Sequence, residues 1–187
     1  MGAVSGIVLA GGLGRRMGGV DKGLQPLHGK AMVQWVLARF APQVSEVIIN
    51  ANQNLERYEG FGHRVVRDDI GGFAGALAGL HAGLKTATHP LVATVPCDSP
   101  FLPVDLVSRL EKNLGGNDLA VAKTGQQAHP VFVLAKKSIL NNLEAFLAGG
   151  GRKIDAWYAS LKVVEVSFDD EADAFRNINT REELNGA

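Results

Sequence analysis

Three cations set among glycines could do chemistry near the start of the chain. Arg15, Arg16 and Lys22 lie within Leu9-Ala10-Gly11-Gly12-Leu13-Gly14-Arg15-Arg16-Met17-Gly18-Gly19-Val20-Asp21-Lys22-Gly23. Glycines let a backbone approach a ligand closely and take positive φ at little cost. Successive N–H groups in such a turn form a concavity for anions, and the side chains add full positive charge. Binding of a polyphosphate is the chemistry this combination suits. Two known phosphate loops do not fit it. A Walker loop needs Gly, four residues and then Gly-Lys-Ser/Thr, but Lys22 stands between Asp21 and Gly23. The dinucleotide fingerprint Gly-x-Gly-x-x-Gly starts at Gly12 and Gly14, and Met17 occupies its third glycine.

The elements that must position this loop read as alternating strands and helices. Ser5–Leu9 is a buried strand leading into it, and Ala31–Phe40 is a helix with Met32, Trp35, Val36 and Phe40 near helical spacing. Further strands are expected at Val47–Ile49, Val65-Val66, Leu91–Val95, Leu119–Ala122, Val131–Leu134 and Val163–Val166. Helices are expected at Ala74–Thr86, Val104–Leu114 and Ile139–Leu147, with a short terminal one at Arg181–Leu184. Near-continuous β-branched runs between helices imply a mainly parallel sheet covered on both faces. The adjacent strands at 119–122 and 131–134 are expected to add antiparallel pairing. Gly149-Gly150-Gly151 reads as a helix end and loop.

In open parallel α/β sheets, ligands sit outside the carboxyl ends of the strands. That rule gathers the glycine loop, Asn50, Arg67-Asp68-Asp69 and Asp98 around one cleft. Each has a structural alternative: Asn50 as a cap, Asp68 and Asp69 as turn residues, Asp98 as the opening of a turn or helix. Magnesium takes one or two carboxylates plus phosphate oxygens and water, and Asp98, at the end of a buried strand, is the first choice to hold it.

Composition narrows the function classes. Nineteen basic and nineteen acidic residues give zero formal charge, against a broad nucleic-acid or membrane surface, which needs a basic excess. A chain of 187 residues is long enough for one domain with a real core. The single cysteine, Cys97, excludes an internal disulfide and a cysteine-based zinc site and fits a reducing cytoplasm. No apolar run approaches the ~18 residues of a membrane span, and no secretory segment is recognisable.

Leu-Ala-Gly-Gly-x-Gly-x-Arg-Met-Gly-Gly followed by Asp-Lys-Gly resembles the opening signature of nucleotidyltransferases with a Rossmann-like, glycosyltransferase A-type fold. Within them the chain is most similar to the molybdenum cofactor guanylyltransferases. Sugar-phosphate relatives usually place proline before the lysine, where this chain has Asp21. The likeness continues through Asn50-Ala51-Asn52, Asp68, Gly75, Gly79, Pro96-Cys97-Asp98, His129-Pro130, Arg152-Lys153 and Asn177-Ile178-Asn179-Thr180. It implies a three-layer sandwich forming one domain over residues 1–187, with a GTP-binding part at about 1–110 and a pterin-side part at about 111–187.

The reaction implied is transfer of GMP from GTP to molybdopterin carrying molybdenum, with release of pyrophosphate, in the cytoplasm. GTP would be bound by Leu9, Ala10, Gly11, Gly12, Gly14, Lys22, Asn50, Asp68, Gly75 and Asp98, with Mg2+ on Asp98. Arg15 and Lys22 would neutralise phosphates, making Arg15, Lys22 and Asp98 the catalytic set. Arg152, Lys153, Asn177 and Asn179 would line the pterin side. Delivery to molybdoenzymes or their chaperones is likewise implied. His129, alone before a strand, reads as structural. The alternatives are a sister enzyme using CTP or another phosphorylated acceptor, and a non-catalytic adaptor, which the presence of Asp98 disfavours. A nicotinamide oxidoreductase is disfavoured by Met17.

Overall fold

The computed structural model describes residues 2–12, 20–70 and 75–178. The elements run β1 (Val4–Leu9), β2 (Pro26–Leu27), β3 (Lys30–Ala31), α1 (Met32–Phe40), β4 (Glu46–Asn50), α2 (Leu55–Glu59), β5 (Arg64–Val66), α3 (Ala76–Thr86) and β6 (Leu91–Pro96). Then follow α4 (Leu106–Leu114), β7 (Leu119–Thr124), β8 (Gln127–Lys136), α5 (Leu140–Ala148), α6 (Ile154–Tyr158) and β9 (Val163–Ser167). Seven strands form one sheet in the order β5-β4-β1-β6-β8-β7-β9. β1 lies parallel to β4 and β6, β4 to β5, and β7 to β9. β8 runs against both of its neighbours, which is the antiparallel pairing expected there. β2 and β3 form a separate small hairpin.

Strand residues alternate between two cores. Val4, Val8, Val47, Ile49, Ala93, Val95, Phe132 and Leu134 meet α1 and α4 on one face. Ile7, Ile48, Val92, Leu119, Val121 and Val133 meet α3 and α5 on the other. This period-2 division, with both sides apolar, is why the strands read as continuous hydrophobic runs. Both faces are covered, giving a three-layer α/β sandwich. Each fully buried large apolar side chain, such as Ile7, Ile48, Phe40 or Phe132, contributes about 1.5–3 kcal/mol of transfer free energy.

Helix boundaries move where capping chemistry dictates. α3 starts at Ala76 rather than Ala74, because Gly75 sits at φ 54°, ψ −133°, a conformation open essentially to glycine. Residue 74 lies outside the described residues. α4 starts at Leu106, after Asp105 at φ −115° and ψ 13°. α5 ends at Ala148, and Gly150 turns the chain with φ 84°. The terminal helix expected at Arg181–Leu184 lies outside the described residues.

The path of the chain makes the cleft. From β1 it winds to β4 and β5 on one side, with α1 on the first face; α3, on the second face, returns it across β1 to β6. The loops after the adjacent strands β1 and β6 therefore leave in opposite directions, which opens a crevice at their carboxyl ends.

Candidate functional site

The crevice is flanked by the loops that carry Lys22 and Asp98. The sheet's hydrogen bonding continues past the strands: Cys97 N donates to Leu9 O (3.1 Å), Ala10 N to Asn50 O (2.8 Å) and Ala51 N to Val66 O (2.9 Å). These bonds fix the starting directions of all four loops. Lys22, in a short 3-10 turn, then reaches across so that its Nζ donates to Asp98 Oδ2 at 3.1 Å. The two side chains are 21% and 12% exposed, so the pair sits at the rim, within reach of a ligand in the cleft.

A second set of polar groups lines the β4–β5 side. Asp68 accepts from Asn50 Nδ2 and from Asn52 Nδ2, both at 2.8 Å, and its own N–H donates to Asn52 Oδ1 at 2.9 Å. Asn52 Nδ2 also donates to the Gly11 carbonyl at 3.1 Å. The glycine loop is thereby tied to Asp68 through Asn52. The space around Asn50 is tight: a methyl group on Gly79 would collide with Asn50 Oδ1 and Leu9 Cδ2, and one on Gly11 would lie 2.8 Å from Asn50 Oδ1. Helix α3 approaches the strand ends this closely because position 79 carries no side chain.

Of the residues expected to bind the nucleotide, Leu9, Ala10, Gly11, Lys22, Asn50, Asp68 and Asp98 all lie at these strand ends, and Gly75 stands at the start of α3. Gly12 follows Gly11 with open space around it. Gly14 and Arg15 lie outside the described residues, as does Asn179.

Asn177 proves to be part of the same rim. Ser99 Oγ donates to Asn177 Oδ1 at 2.5 Å, and Ile178 N donates to the Asp98 carbonyl at 2.8 Å. The C-terminal segment thus closes over the loop that carries Asp98. Arg152 and Lys153 are exposed in the α5–α6 connection, where Arg152 Nη1 donates to the Leu147 and Gly151 carbonyls. β8 runs away from the carboxyl edge and α5 returns toward it, so this connection is on the cleft end of the sheet.

Burial pushes the Cys97 thiol well above its ordinary range, helped by the charges of Asp98 and Asp21. A buried, protonated thiol is no nucleophile, although it immediately precedes Asp98. His129 stacks on Phe175 with centroids 4.6 Å apart, and Thr124 Oγ1 lies 2.7 Å from its Nε2. Burial holds His129 below its usual pKa, so it serves as a neutral packing residue.

Sequence reasoning did not assign roles to Asn52, Ser99 or Tyr58. Asn52 and Ser99 act through partners 16 or more residues away, which no local pattern encodes. Tyr58 lies on α2, too short at five residues to show a period. Its hydroxyl donates to Asp21 Oδ1 at 2.5 Å.

Among the described residues no group of three or more His, Cys, Asp or Glu side chains is arranged to hold a metal ion, as a cage made wholly of protein would need. A rim carboxylate paired with Lys22 is instead the kind of donor that suits a cation shared with a nucleotide.

The relationships of the chain agree with this geometry. The model of the MobA-like NTP transferase domain matches residues 6–163. A molybdenum cofactor guanylyltransferase of Cupriavidus necator is 52% identical, over 97% of this chain and 94% of the relative. The chain belongs to the molybdenum cofactor guanylyltransferase family. It is accordingly a nucleotidyltransferase. Another member of the family, from Shewanella putrefaciens, is 47% identical over 96% of this chain and 93% of its own length. Among solved structures, the molybdopterin-guanine dinucleotide biosynthesis protein A of Archaeoglobus fulgidus superposes with a TM-score of 0.77 at 26% identity, covering 97% of this chain and 95% of that one. A protein of Aquifex aeolicus superposes with a TM-score of 0.80 at 27% identity, covering 96% and 95%. The Rossmann-like, glycosyltransferase A-type fold expected from the sequence is the fold of this family.

Proposed function

We propose that this guanylyltransferase-family chain transfers GMP from GTP to molybdopterin carrying molybdenum, forming the guanine dinucleotide and releasing pyrophosphate. The observation that carries the reading is the pairing of Lys22 with Asp98 across the crevice, a cation and a carboxylate where a metal-bound polyphosphate would lie. The acceptor's phosphate attacks the α-phosphorus of GTP in line, a P–O bond to pyrophosphate breaks, and the leaving group departs with that electron pair. The acceptor phosphate is already anionic near neutral pH, so no general base is needed. Positioning and charge stabilisation carry most of the catalysis in such transfers.

Lys22 exchanges its bond to Asp98 for the phosphate oxygens and neutralises them, assisted by Arg15. The backbone of Leu9, Ala10, Gly11, Gly12 and Gly14 cradles the nucleotide, while Asn50, Asp68 and Gly75 bound it on the β4–β5 side. Asp98 would hold Mg2+, which when bound supplies positive charge to the phosphate oxygens as they develop negative charge. Arg152, Lys153, Asn177 and Asn179 receive the anionic pterin. The division into a nucleotide part at about 1–110 and a pterin part at about 111–187 belongs to this proposal, as does delivery of the product to molybdoenzymes or their chaperones. Among the described residues no helix is long and apolar enough to cross a membrane, and the proposed setting is the cytoplasm, where Cys97 stays reduced.

The test is incubation of the protein with Mg2+, molybdenum-loaded molybdopterin and either GTP or CTP, with mass analysis of the pterin product. A GMP adduct with GTP and little product with CTP is the expected result. A CMP adduct formed as readily, or no adduct with either nucleotide, would overturn the proposal.

A further inference from the structure

Asp21 is the residue before the phosphate-binding lysine that separates this chain from sugar-phosphate relatives, and nothing in the transfer reaction uses it. Its carboxylate sits in a socket of donors. The residue is 8% exposed. Oδ1 accepts the Tyr58 hydroxyl at 2.5 Å, and Oδ2 accepts Asn54 Nδ2 at 3.0 Å. Its backbone carbonyl accepts Gln25 Nε2 at 3.1 Å and Leu24 N at 3.3 Å. A buried carboxylate is stable only with such donors.

The donors are themselves fixed. Tyr58 is fully buried, and burial, followed by the nearby Cys97 and Asp21, pushes its hydroxyl far above the ordinary range, so it remains a donor at any physiological pH. Asn54 takes the left-handed conformation, φ 53° and ψ 36°, which asparagine tolerates better than most residues. Gly23, on the far side of Lys22, leaves no room for a side chain: an added methyl would lie 2.6 Å from the Tyr58 oxygen and 3.2 Å from Cys97 Cβ. Lys22 is therefore held between a clamped residue on one side and a close-packed glycine on the other, with Cys97 leading directly to Asp98.

We propose that Asp21 and Tyr58 are positioning residues that act through Lys22: the network joining Asp21 to Tyr58 on α2 and to Asn54 just before it holds the lysine turn at the distance from Asp98 that a nucleotide phosphate requires. This rests on Lys22 being a phosphate ligand and not on the identity of the acceptor. Tyr58 and Asn54 thus form an outer layer behind the lysine turn, contributed by α2 and the residue before it.

The experiment is a binding cycle read by calorimetry with GTP and Mg2+ alone, so that it does not depend on pterin chemistry. Tyr58→Phe, which removes one oxygen, is expected to weaken GTP binding about tenfold, the lower end for losing an outer partner of a site residue. In a Lys22→Met background the same substitution is expected to change GTP binding less than twofold, because its effect passes through the missing amine. Equal losses in both backgrounds would overturn the proposal in favour of a merely structural role. Should Tyr58→Phe not fold, Asn54→Gly, which keeps the left-handed backbone and deletes the other donor at an exposed position, is measured in the same two backgrounds. It is judged by the same criterion. GTP binding left unchanged by Lys22→Met alone would instead refute the phosphate-ligand reading, a result distinguishable from additive losses.

Discussion

Replacing Asp98 by asparagine separates charge from shape at the position proposed to hold the metal. Asparagine occupies the same volume and keeps an oxygen that can accept from Lys22 Nζ, now at 3.1 Å from Oδ2, but carries no negative charge to hold a divalent cation. The local structure does not depend on that charge. Ile178 N binds the backbone carbonyl of residue 98 at 2.8 Å, and the Ser99–Asn177 bond at 2.5 Å uses neighbouring atoms. The stability cost is therefore that of weakening one largely buried, charge-assisted hydrogen bond, about 1–3 kcal/mol. Loss of charge stabilisation in the transition state costs about 3–4 kcal/mol, or about 10²–10³ in rate, by comparison with removal of one stabilising group at a reacting centre. The assay is pyrophosphate release with saturating GTP and acceptor over a Mg2+ titration, alongside urea unfolding. A variant within tenfold of wild-type kcat at ordinary Mg2+, or one that is unfolded, would refute the reasoning.

Other perturbations test how the site is supported. Gly79→Ala, which forces a methyl into Asn50 Oδ1 and Leu9, is expected to cost about 1–3 kcal/mol in urea unfolding and to weaken GTP binding, whereas no loss in either would show that α3 can move away freely. Glu46, against the effect of burial, is held at about 2 instead of 4.5 by donors from Ser5 and Thr88. Its contribution is fully present above the ordinary value of 4.5 and is lost as pH falls toward 2, about 1 kcal/mol once solvent screening at this accessible site is allowed for. Glu46→Gln should abolish that part of the acid dependence of the urea midpoint. His129 behaves with the same sign for a different reason: burial favours its neutral form, so stability falls as pH drops below its ordinary value of 6.5. His129→Phe should flatten the unfolding profile between pH 7 and 5, and an unchanged profile would contradict the burial argument.

The central sheet could be read from sequence because its strands are apolar on both faces, and the two adjacent apolar runs at 119–122 and 131–134 announced the departure from parallel order. Helix α1 was legible from Met32, Val36 and Phe40. Helices α2 and α6 were not, since five residues hold too little of a 3.6-residue period, and the hairpin at Pro26–Ala31 has strands of two residues. The strand-end rule located Asn50, Asp68 and Asp98 correctly around one crevice. It could not say that Asn52 is the link between Gly11 and Asp68, or that Asn177 meets Ser99 across 78 positions of chain. Those facts depend on where the backbone returns, which residue types and spacing do not carry. Asp21 shows the same limit: the sequence marked it as distinctive, and its reason became visible only with Tyr58 and Asn54 around its carboxylate.

The direct test of nucleotidyl transfer at this site is the fate of individual phosphates of GTP. With molybdenum-loaded molybdopterin and Mg2+, label in the α-phosphate is expected to enter the pterin product in step with pyrophosphate release, while γ-label appears in pyrophosphate alone. Gamma label on the acceptor or in orthophosphate, with the α-label left in a nucleoside diphosphate, would contradict the account.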